Sequence, residues 1–492
     1  MKRDLAALAS REHDLLVVGA GIYGAAAAWD AAQRGLDVAL VEREDFGAGA
    51  SWNSLKTIHG GMRYLQKADF ARLRASARER RILLAIAPSL VRPLPFLVPT
   101  YGHGMNGREL LALGLALNEL LTWDRNRGLP PERKIAAGRT VSAAEALRLV
   151  PGLERRGLTG AGLWSDAQAV SSERLTLAFV HAAAGAGACC ANHAEVVGLL
   201  RSGGRVSGAA VRDSLGGKSL ELRARVVLNA AGPGADDLLA LVGLGRRRAP
   251  LLRARNLVLR RAPLVPFAVG AKTTGRFLFL VPWQGSTLLG TSYEPAESRP
   301  SEPLAFLDEA KRAFPWAGLE RRDLVLVHEG LVPGERDASG LSIRPRLHDH
   351  ELEDGLPGLV SMQGVKYTTA RAVAERAIDL VGHRLGRRLP ACRTATTALA
   401  EARLLEGPLE ERVRIAVRDE MAMTLSDAVL RRLDLGTAGP PARADLELVV
   451  RVMGALLGWQ DGQLRSERAA LEAAYPPIES EAAALRATPA LT

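Results

Sequence analysis

Apolar and polar positions along the chain fall into runs whose period shifts between about 2 and about 3.6, and each shift marks an element. Residues 15–18 form a short unbroken apolar run closed by glycine, the pattern of a buried parallel strand. Residues 22–34 are alanine-rich and helix-forming, Gly35 stops them, and Val38–Val41 repeats the strand pattern. Residues 69–87 read as a long amphipathic helix studded with arginines and 110–123 as another helix, while 88–99 is punctuated by prolines and is expected to lead out of the first domain. Ser142 and Glu145 stand in capping-box spacing at the head of a short helix over 142–149, and 172–185 is helical. Residues 195–200, 206–211 and 220–229 read as strands. A second β-rich stretch at 257–260, 277–281, 287–291 and 324–328 is expected to form its own sheet. A strand at 359–362 runs into Gly364, and a helix follows from Thr368. Beyond an apparent joint at 394–406, apolar positions recur at helical spacing over 409–432 and 446–457, so the last hundred or so residues form an all-helical unit.

The glycines after the first strand carry the first chemistry. Gly19, Gly21 and Gly24 have the spacing G-x-G-x-x-G between a strand and a helix, and Glu42 ends the second strand. Gly19 permits the tight turn, Gly21 lets a pyrophosphate approach the backbone, and Gly24 lets the helix lie close to the strand. The helix N-terminus faces the anion, and the Glu42 carboxylate suits a ribose 2′-OH. Two later strands also run into glycine turns, at Gly232 and at Gly364 before Thr368, each a place where a cofactor can meet backbone N–H groups. In the serine-rich loop that follows Glu42, Ser51, Ser54 and Lys56 are candidate phosphate donors. His59, Arg63 and Tyr64 flank the pair Gly60-Gly61, where backbone can come close to a flat ring. Taken singly, each of these polar residues is as well explained by an ordinary structural or solvated role.

Composition narrows the setting. The chain has 492 residues, enough for two or three domains, and a formal charge of +11. That charge suits an acidic substrate, an anionic membrane surface or nucleic acid, although arginine usage as a composition bias explains it equally well. Aromatic residues are only 4% of the chain, which argues against a base-stacking surface and so against nucleic acid. Three cysteines, two of them adjacent, make neither a disulfide framework nor a metal signature; no metal is expected, and a reducing cytoplasm fits. The first fourteen residues do not read as a signal peptide. No apolar run reaches membrane-spanning length: 109–121 is too short, and 82–98 contains Arg92 and three prolines. Contact with a membrane surface stays open, with a buried core helix as the commoner explanation of 109–121.

Several motifs together resemble the FAD-dependent glycerol-3-phosphate dehydrogenases and oxidases, members of the D-amino-acid-oxidase-like flavoproteins. They are VVGAGIYGAAAAWDAAQRGLDVALVE at 17–42, SLKTIHGGMRYLQ at 54–66, LNAAGP at 228–233, FLVPWQGSTLLGTS at 279–292, GVKYTTAR at 364–371, and the helical AVRDEMAMTLSDAVLRR at 416–432. The resemblance implies an α/β fold: a Rossmann-like FAD-binding domain, discontinuous over 1–95, 140–240 and 341–393, a β-rich substrate-binding domain over 96–139 and 241–340, and a C-terminal all-helical domain over 394–492. It implies FAD as cofactor and oxidation of sn-glycerol 3-phosphate to dihydroxyacetone phosphate by hydride transfer to flavin N5. Carried over by motif, His59 is a candidate base or orienter, Arg63 and Arg344 contact substrate, and Lys366 is a base or electrostatic stabiliser. A membrane quinone, oxygen or a soluble carrier would take the electrons; a cytoplasmic location, peripheral to the membrane face if quinone is used, and a homodimer are compatible with the reading.

The departures from the family pattern gather on the substrate side. Val332 stands where a second phosphate-gripping arginine is usual, Asn256 where a histidine is usual, Tyr293 in place of an acid, and Val365 in place of the glycine before the lysine. One missing arginine removes a charge-assisted bond of about 1.5–3 kcal/mol unless Arg253, Arg255 or Arg346 replaces it. Two further readings therefore stand beside the first: a flavoenzyme of the same fold acting on another hydroxy acid, polyol or amine, and a non-catalytic basic flavoprotein module.

Overall fold

The computed structural model describes the whole chain except residues 105–106, 246–249, 274, 338–339, 343, 401–402 and 476–492, with backbone only at 335–337 and 340–342. Ile343 (next to Arg344), part of the 394–406 joint and the end of the helical unit thus lie outside the described residues.

Two sheets organise the molecule. The first has eight strands in the order Arg346–Asp349, Leu359–Gln363, Ser219–Asn229, Glu12–Val18, Val38–Val41, Cys189–Ala191, with Arg205–Asp213 and Ala194–Ser202 continuing as an antiparallel extension from Ser219–Asn229. Its central strands are parallel, and their registers align their ends: Val18 lies opposite both Val41 and Asn229, and Asn229 opposite Ser361. The turns after Val18, Val41, Asn229 and Gln363 therefore open on one carboxyl edge, where α/β sheets bind ligands. The helices Ile22–Gln33, Ser172–Gly185 and Ala370–Arg384 cover one face, packing their alanines, Trp29, Phe179 and Ile378 onto Leu15, Val17, Leu40 and Val226. Alanine at six of the twelve positions from Ile22 to Gln33 would be needless on an exposed helix; here residues 24–32 are all buried.

The second sheet has the order Leu324–Pro333, Leu251–Leu259, Ser286–Pro295, Phe277–Trp283, Ala268–Lys272, Val91–Tyr101, Leu158–Ala169, Thr57–Ile58, with Arg139–Ser142 also on Leu158–Ala169. This redraws the expected division: residues 57–58, 91–95, 140–142 and 158–169 pair in the second sheet, not in the cofactor sheet. The proline-punctuated stretch is a full strand. Pro93, Pro95 and Pro99 are tolerated because on its other side Val91–Tyr101 meets Ala268–Lys272 only at Phe96 and Leu97, so no N–H is demanded of the prolines there.

The C-terminal unit is helical as expected. Leu409–Glu420 ends at Met421 in the left-handed region (φ 55°), a π-helical turn spans Asp427–Arg432, and Arg443–Leu457 and Asp461–Glu472 follow. Val413, Leu425, Val429, Val449 and Met453 pack on Val258, Val281, Leu288 and Leu326 of the second sheet. Toward the cofactor sheet the contact is ionic: Asp45 receives hydrogen bonds from Arg431 Nε (2.6 Å) and from Arg432 Nη1 and Nη2 (2.8 and 2.7 Å).

Candidate active site

The glycine turn forms one half of the site. Gly19 has φ 99°, and a Cβ there would stand 2.7 Å from the carbonyl oxygen of Ala230, in the neighbouring LNAAGP turn. A Cβ on Gly24 would stand 1.8 Å from the carbonyl oxygen of Gly19, so strand, turn and helix are in backbone contact. Gly21 caps the helix Ile22–Gln33, and a Cβ on it would meet only Ser51 Oγ, at 3.1 Å. Ser51 Oγ accepts from the Ile22 N–H (3.0 Å) and so lines this helix N-terminus. Glu42 accepts from the N–H groups of Ala20 (2.7 Å) and Glu44 (3.1 Å); burial raises its pKa against these two bonds. Gly232 opens the short turn after Ala231, and Gly364 lies against the Tyr23 ring, whose hydroxyl donates to the Lys366 carbonyl (3.1 Å). Ser54 Oγ accepts from the Lys56 N–H (3.3 Å), and Thr368 is buried in the turn before Ala370–Arg384. An open helix N-terminus with a cradle at Gly21, flanked by a buried carboxylate and a second glycine turn, fits the pyrophosphate and ribose of FAD.

Lys56 has a different place from the one expected. Its ammonium is fully buried, donating to the Trp52 carbonyl (2.7 Å), Ser172 Oγ (3.1 Å) and Glu173 Oε2 (2.6 Å). These three bonds use its three donors, so it braces the loop from inside instead of reaching for a phosphate.

The other half of the site gathers His59, Arg63, Arg344 and Lys366 around the Gly60-Gly61 turn. His59, 41% exposed, has Nδ1 3.2 Å from Asp166 Oδ2 and Nε2 2.8 Å from Thr57 Oγ1. Asp166 is buried, yet Arg80, His59 and the Gly60 N–H (2.6 Å) hold it well below the usual carboxylate range. Gly60 is required here because a Cβ would sit 2.2 Å from Arg80 Nη1. Lys366 Nζ donates to Ser76 Oγ (2.6 Å) and lies 4.8 Å from the centre of the Tyr64 ring. Burial lowers its pKa from 10.5 to about 7, Asp166 opposing and Arg80 and Arg72 assisting. Arg72 lies over the same Tyr64 ring at 4.8 Å. Arg344 is 75% exposed, with Nη2 3.9 Å from Asp69 Oδ2, and Asp69 caps the helix Phe70–Ile86 that carries Arg72, Ser76 and Arg80. Arg63 is exposed and close enough to Tyr64 and Tyr293 to oppose the burial that raises both phenol pKa values. One helix thus holds one wall of the site: Arg72, Ser76 and Arg80 recur every four residues on a single face. Glu79 locks it in place, accepting both Nε and Nη2 of Arg371 at 2.7 Å, one turn beyond Lys366.

Asp166, Ser76 and Arg80 escaped the sequence reading. The four-residue recurrence of polar side chains in an arginine-rich helix was the available signal for two of them; Asp166 lay in a stretch not recognised as a strand. The family departures also form a pattern. Val332 packs with Leu252 and Ala254, and Ala50, Tyr293 and Val365 pack against that same cluster. Asn256 is buried, accepting from Thr291 Oγ1 (2.6 Å). Arg253 and Arg255 both pair with Glu329 (3.1 Å from Arg253 Nε, 2.9 Å from Arg255 Nε), so neither replaces the missing arginine.

Comparison with known proteins agrees with this geometry. The FAD dependent oxidoreductase (DAO) family matches residues 14–380. A protein named glycerol-3-phosphate dehydrogenase from Synechocystis is 31% identical over 425 residues, covering 81% of this chain and 75% of that protein. Glycerol-3-phosphate dehydrogenase 2 of Mycobacterium tuberculosis is 36% identical over 387 residues, covering 76% of this chain but only 63% of that longer protein. The solved structure of the glycerol-3-phosphate dehydrogenase of Bacillus halodurans, complexed with FAD, superposes with a TM-score of 0.70 over 95% of both chains at 23% identity, a likeness of fold. With its glycine turn shaped for a dinucleotide and its match from residue 14 to residue 380, the chain belongs to the FAD-dependent oxidoreductase family, and FAD is its cofactor.

Proposed function

We propose that the protein oxidises sn-glycerol 3-phosphate to dihydroxyacetone phosphate. The observation that carries the reading is Lys366: an amine whose pKa is lowered to about 7, set beside Ser76 and Tyr64 on a rim that also presents His59, Arg63 and Arg344. Bound FAD supplies the hydride acceptor. The chain's own residues do the rest. Neutral Lys366 takes the hydroxyl proton, and His59, oriented by Asp166, exchanges its Thr57 contact for the substrate oxygen. The exposed guanidiniums of Arg63 and Arg344 attract the phosphate dianion and fix its distance from the reacting carbon. The names of the relatives support the same substrate.

The test is anaerobic mixing of the FAD-loaded protein with sn-glycerol 3-phosphate. Rapid bleaching of the visible flavin band is the expected result, and Arg344→Ala is expected to keep FAD and weaken substrate binding by tenfold or more. A band that stays yellow overturns the substrate assignment. The apolar cluster of Val332, Tyr293 and Val365 favours a second reading in that event, a hydroxy acid or polyol carrying no phosphate. The same experiment with glycerate and unphosphorylated polyols separates the two.

A membrane quinone is the acceptor we propose. Among the described residues no helix is long and apolar enough to cross a membrane, but the helix Arg108–Leu121 exposes Leu110, Leu113 and Leu120, followed by exposed Trp123. An exposed apolar stripe of this kind suits a headgroup interface, where quinone is reached.

A further inference from the structure

His348, His350 and Asp354 bring three metal-ligating side chains together at the far end of a strand from Arg344. His348 lies on the edge strand Arg346–Asp349, and His350 and Asp354 begin and end the short helix that follows. His348 Nε2 is 3.1 Å and His350 Nδ1 2.7 Å from the same oxygen, Asp354 Oδ2. The two rings are 4.5 Å apart, and one ligand atom from each of the three residues lies within 4.8 Å of the others.

The outer nitrogens are also fixed. His348 Nδ1 faces Glu353 Oε2 at 2.8 Å, and His350 Nε2 faces Ser361 Oγ at 2.7 Å. Orientation of a histidine's distal nitrogen by a carboxylate or hydroxyl is the arrangement that supports metal-binding imidazoles. The neighbouring Arg384 pairs with Asp349 Oδ2 (Nε at 2.9 Å) and Glu351 Oε1 (Nη1 at 3.0 Å). A tetrahedral zinc site has ligand-to-ligand edges of about 3.3 Å, close to the two histidine-to-Asp354 separations of 3.1 and 2.7 Å.

We propose that His348, His350 and Asp354 bind a divalent first-row metal ion, Zn²⁺ best, with water in the fourth position. Imidazole and carboxylate ligands suit this ion. The cysteine spacing gave no hint of it, because no cysteine takes part. The site is structural in role: the edge strand pairs with Leu359–Gln363 through Arg346 opposite Gln363 and His348 opposite Ser361, so the ion clamps one end of a ribbon whose other end leads to Arg344 and Lys366.

The test is isothermal titration of the FAD-loaded, chelator-treated protein with Zn²⁺, read beside its thermal melting. Binding of one ion per chain with Kd below about 10 µM is expected, together with a higher melting temperature. His348→Ala and Asp354→Asn are each expected to weaken that event at least tenfold while keeping the flavin spectrum, and Ser361→Ala to weaken it by about tenfold. Asp354→Asn keeps shape and hydrogen-bonding reach, so it reports on the ligand and not on folding. Absence of binding up to 100 µM Zn²⁺, or binding unchanged in both His348→Ala and Asp354→Asn, overturns the proposal.

Discussion

Lys366 Nζ and Ser76 Oγ meet at 2.6 Å across 290 residues of chain, tying the turn after one strand of the cofactor sheet to the helix that forms the facing wall. The lowered pKa of Lys366, about 7, then sets a pH dependence. Its neutral, proton-accepting form dominates above that value, so the rate of flavin reduction rises with pH through about 7 and levels off above it. A bond from the ammonium to Ser76 favours the charged form, so Ser76→Ala moves the limb to lower pH. Lys366→Met removes the limb and nearly all turnover while FAD stays bound. A stopped-flow pH series on the three proteins checks this. The same shift acts on stability. Between about 7 and 10.5 the unfolded chain binds more protons than the folded one, so this residue's contribution to stability rises with pH across that window.

Lys56 and Glu173 make a pair with no solvent exposure on either side chain. Removing one partner leaves a buried charge uncompensated, at a cost of about 3–5 kcal/mol. Lys56→Met is therefore expected to lower the melting temperature of the protein with and without FAD. Adding Glu173→Leu to it recovers part of the loss. Loss of FAD affinity with an unchanged melt of the FAD-free protein would instead return Lys56 to the phosphate site. Differential scanning fluorimetry on both forms distinguishes the outcomes.

Asp45 joins the helical unit to the cofactor turn. It takes three hydrogen bonds from Arg431 and Arg432 and a fourth from Asn192 Nδ2 (3.0 Å), and two residues on, the Gly47 N–H donates to the Ala20 carbonyl (3.0 Å). Asp45→Ala leaves two buried guanidiniums facing each other. Expected outcomes are earlier proteolytic release of residues beyond 400 and faster FAD dissociation, both measurable in limited proteolysis and flavin-fluorescence assays. A variant with wild-type cleavage and FAD retention would show the ionic contact to be dispensable.

How far the sequence spoke depended on whether a residue's role was local. The nucleotide turn was legible because Gly19, Gly24 and Glu42 act within thirty residues of one another, and strand, helix and second strand keep a fixed order. The second sheet was legible only in part. Strand 158–169 is buried almost throughout and lacks the alternation that marks a half-exposed strand, and Val91–Tyr101 hides behind prolines that its sparse pairing on one side tolerates. Lys56 carried a misleading signal, since a lysine in a serine-rich loop reads the same whether it faces a phosphate or a glutamate 117 residues away. Asp166 and Ser76 become site residues only when two sheets and a helix converge, which no spacing along the chain encodes.

The exposed stripe on Arg108–Leu121 has a consequence that can be measured without substrate. Leu113 is 66% exposed, Leu120 70% and Trp123 71%, while Leu115 on the opposite side is buried. Leu110, Leu113 and Leu120 recur at spacings of three and seven, so they share one face, and Arg108, Arg127 and Lys134 are exposed in the same stretch of chain. Basic residues beside an apolar face add electrostatic attraction to anionic headgroups. Leu113→Glu with Leu120→Glu replaces exposed side chains, so the melting temperature should scarcely move, with an effect within about 0.5 kcal/mol. Co-sedimentation with phosphatidylglycerol-containing vesicles is expected for the parent protein and not for the double variant, and raised salt should weaken it. Binding that persists in the variant would move the membrane contact elsewhere. Absence of vesicle binding in the parent, with a dimer that the variant dissociates, would assign the stripe to a second copy of the chain.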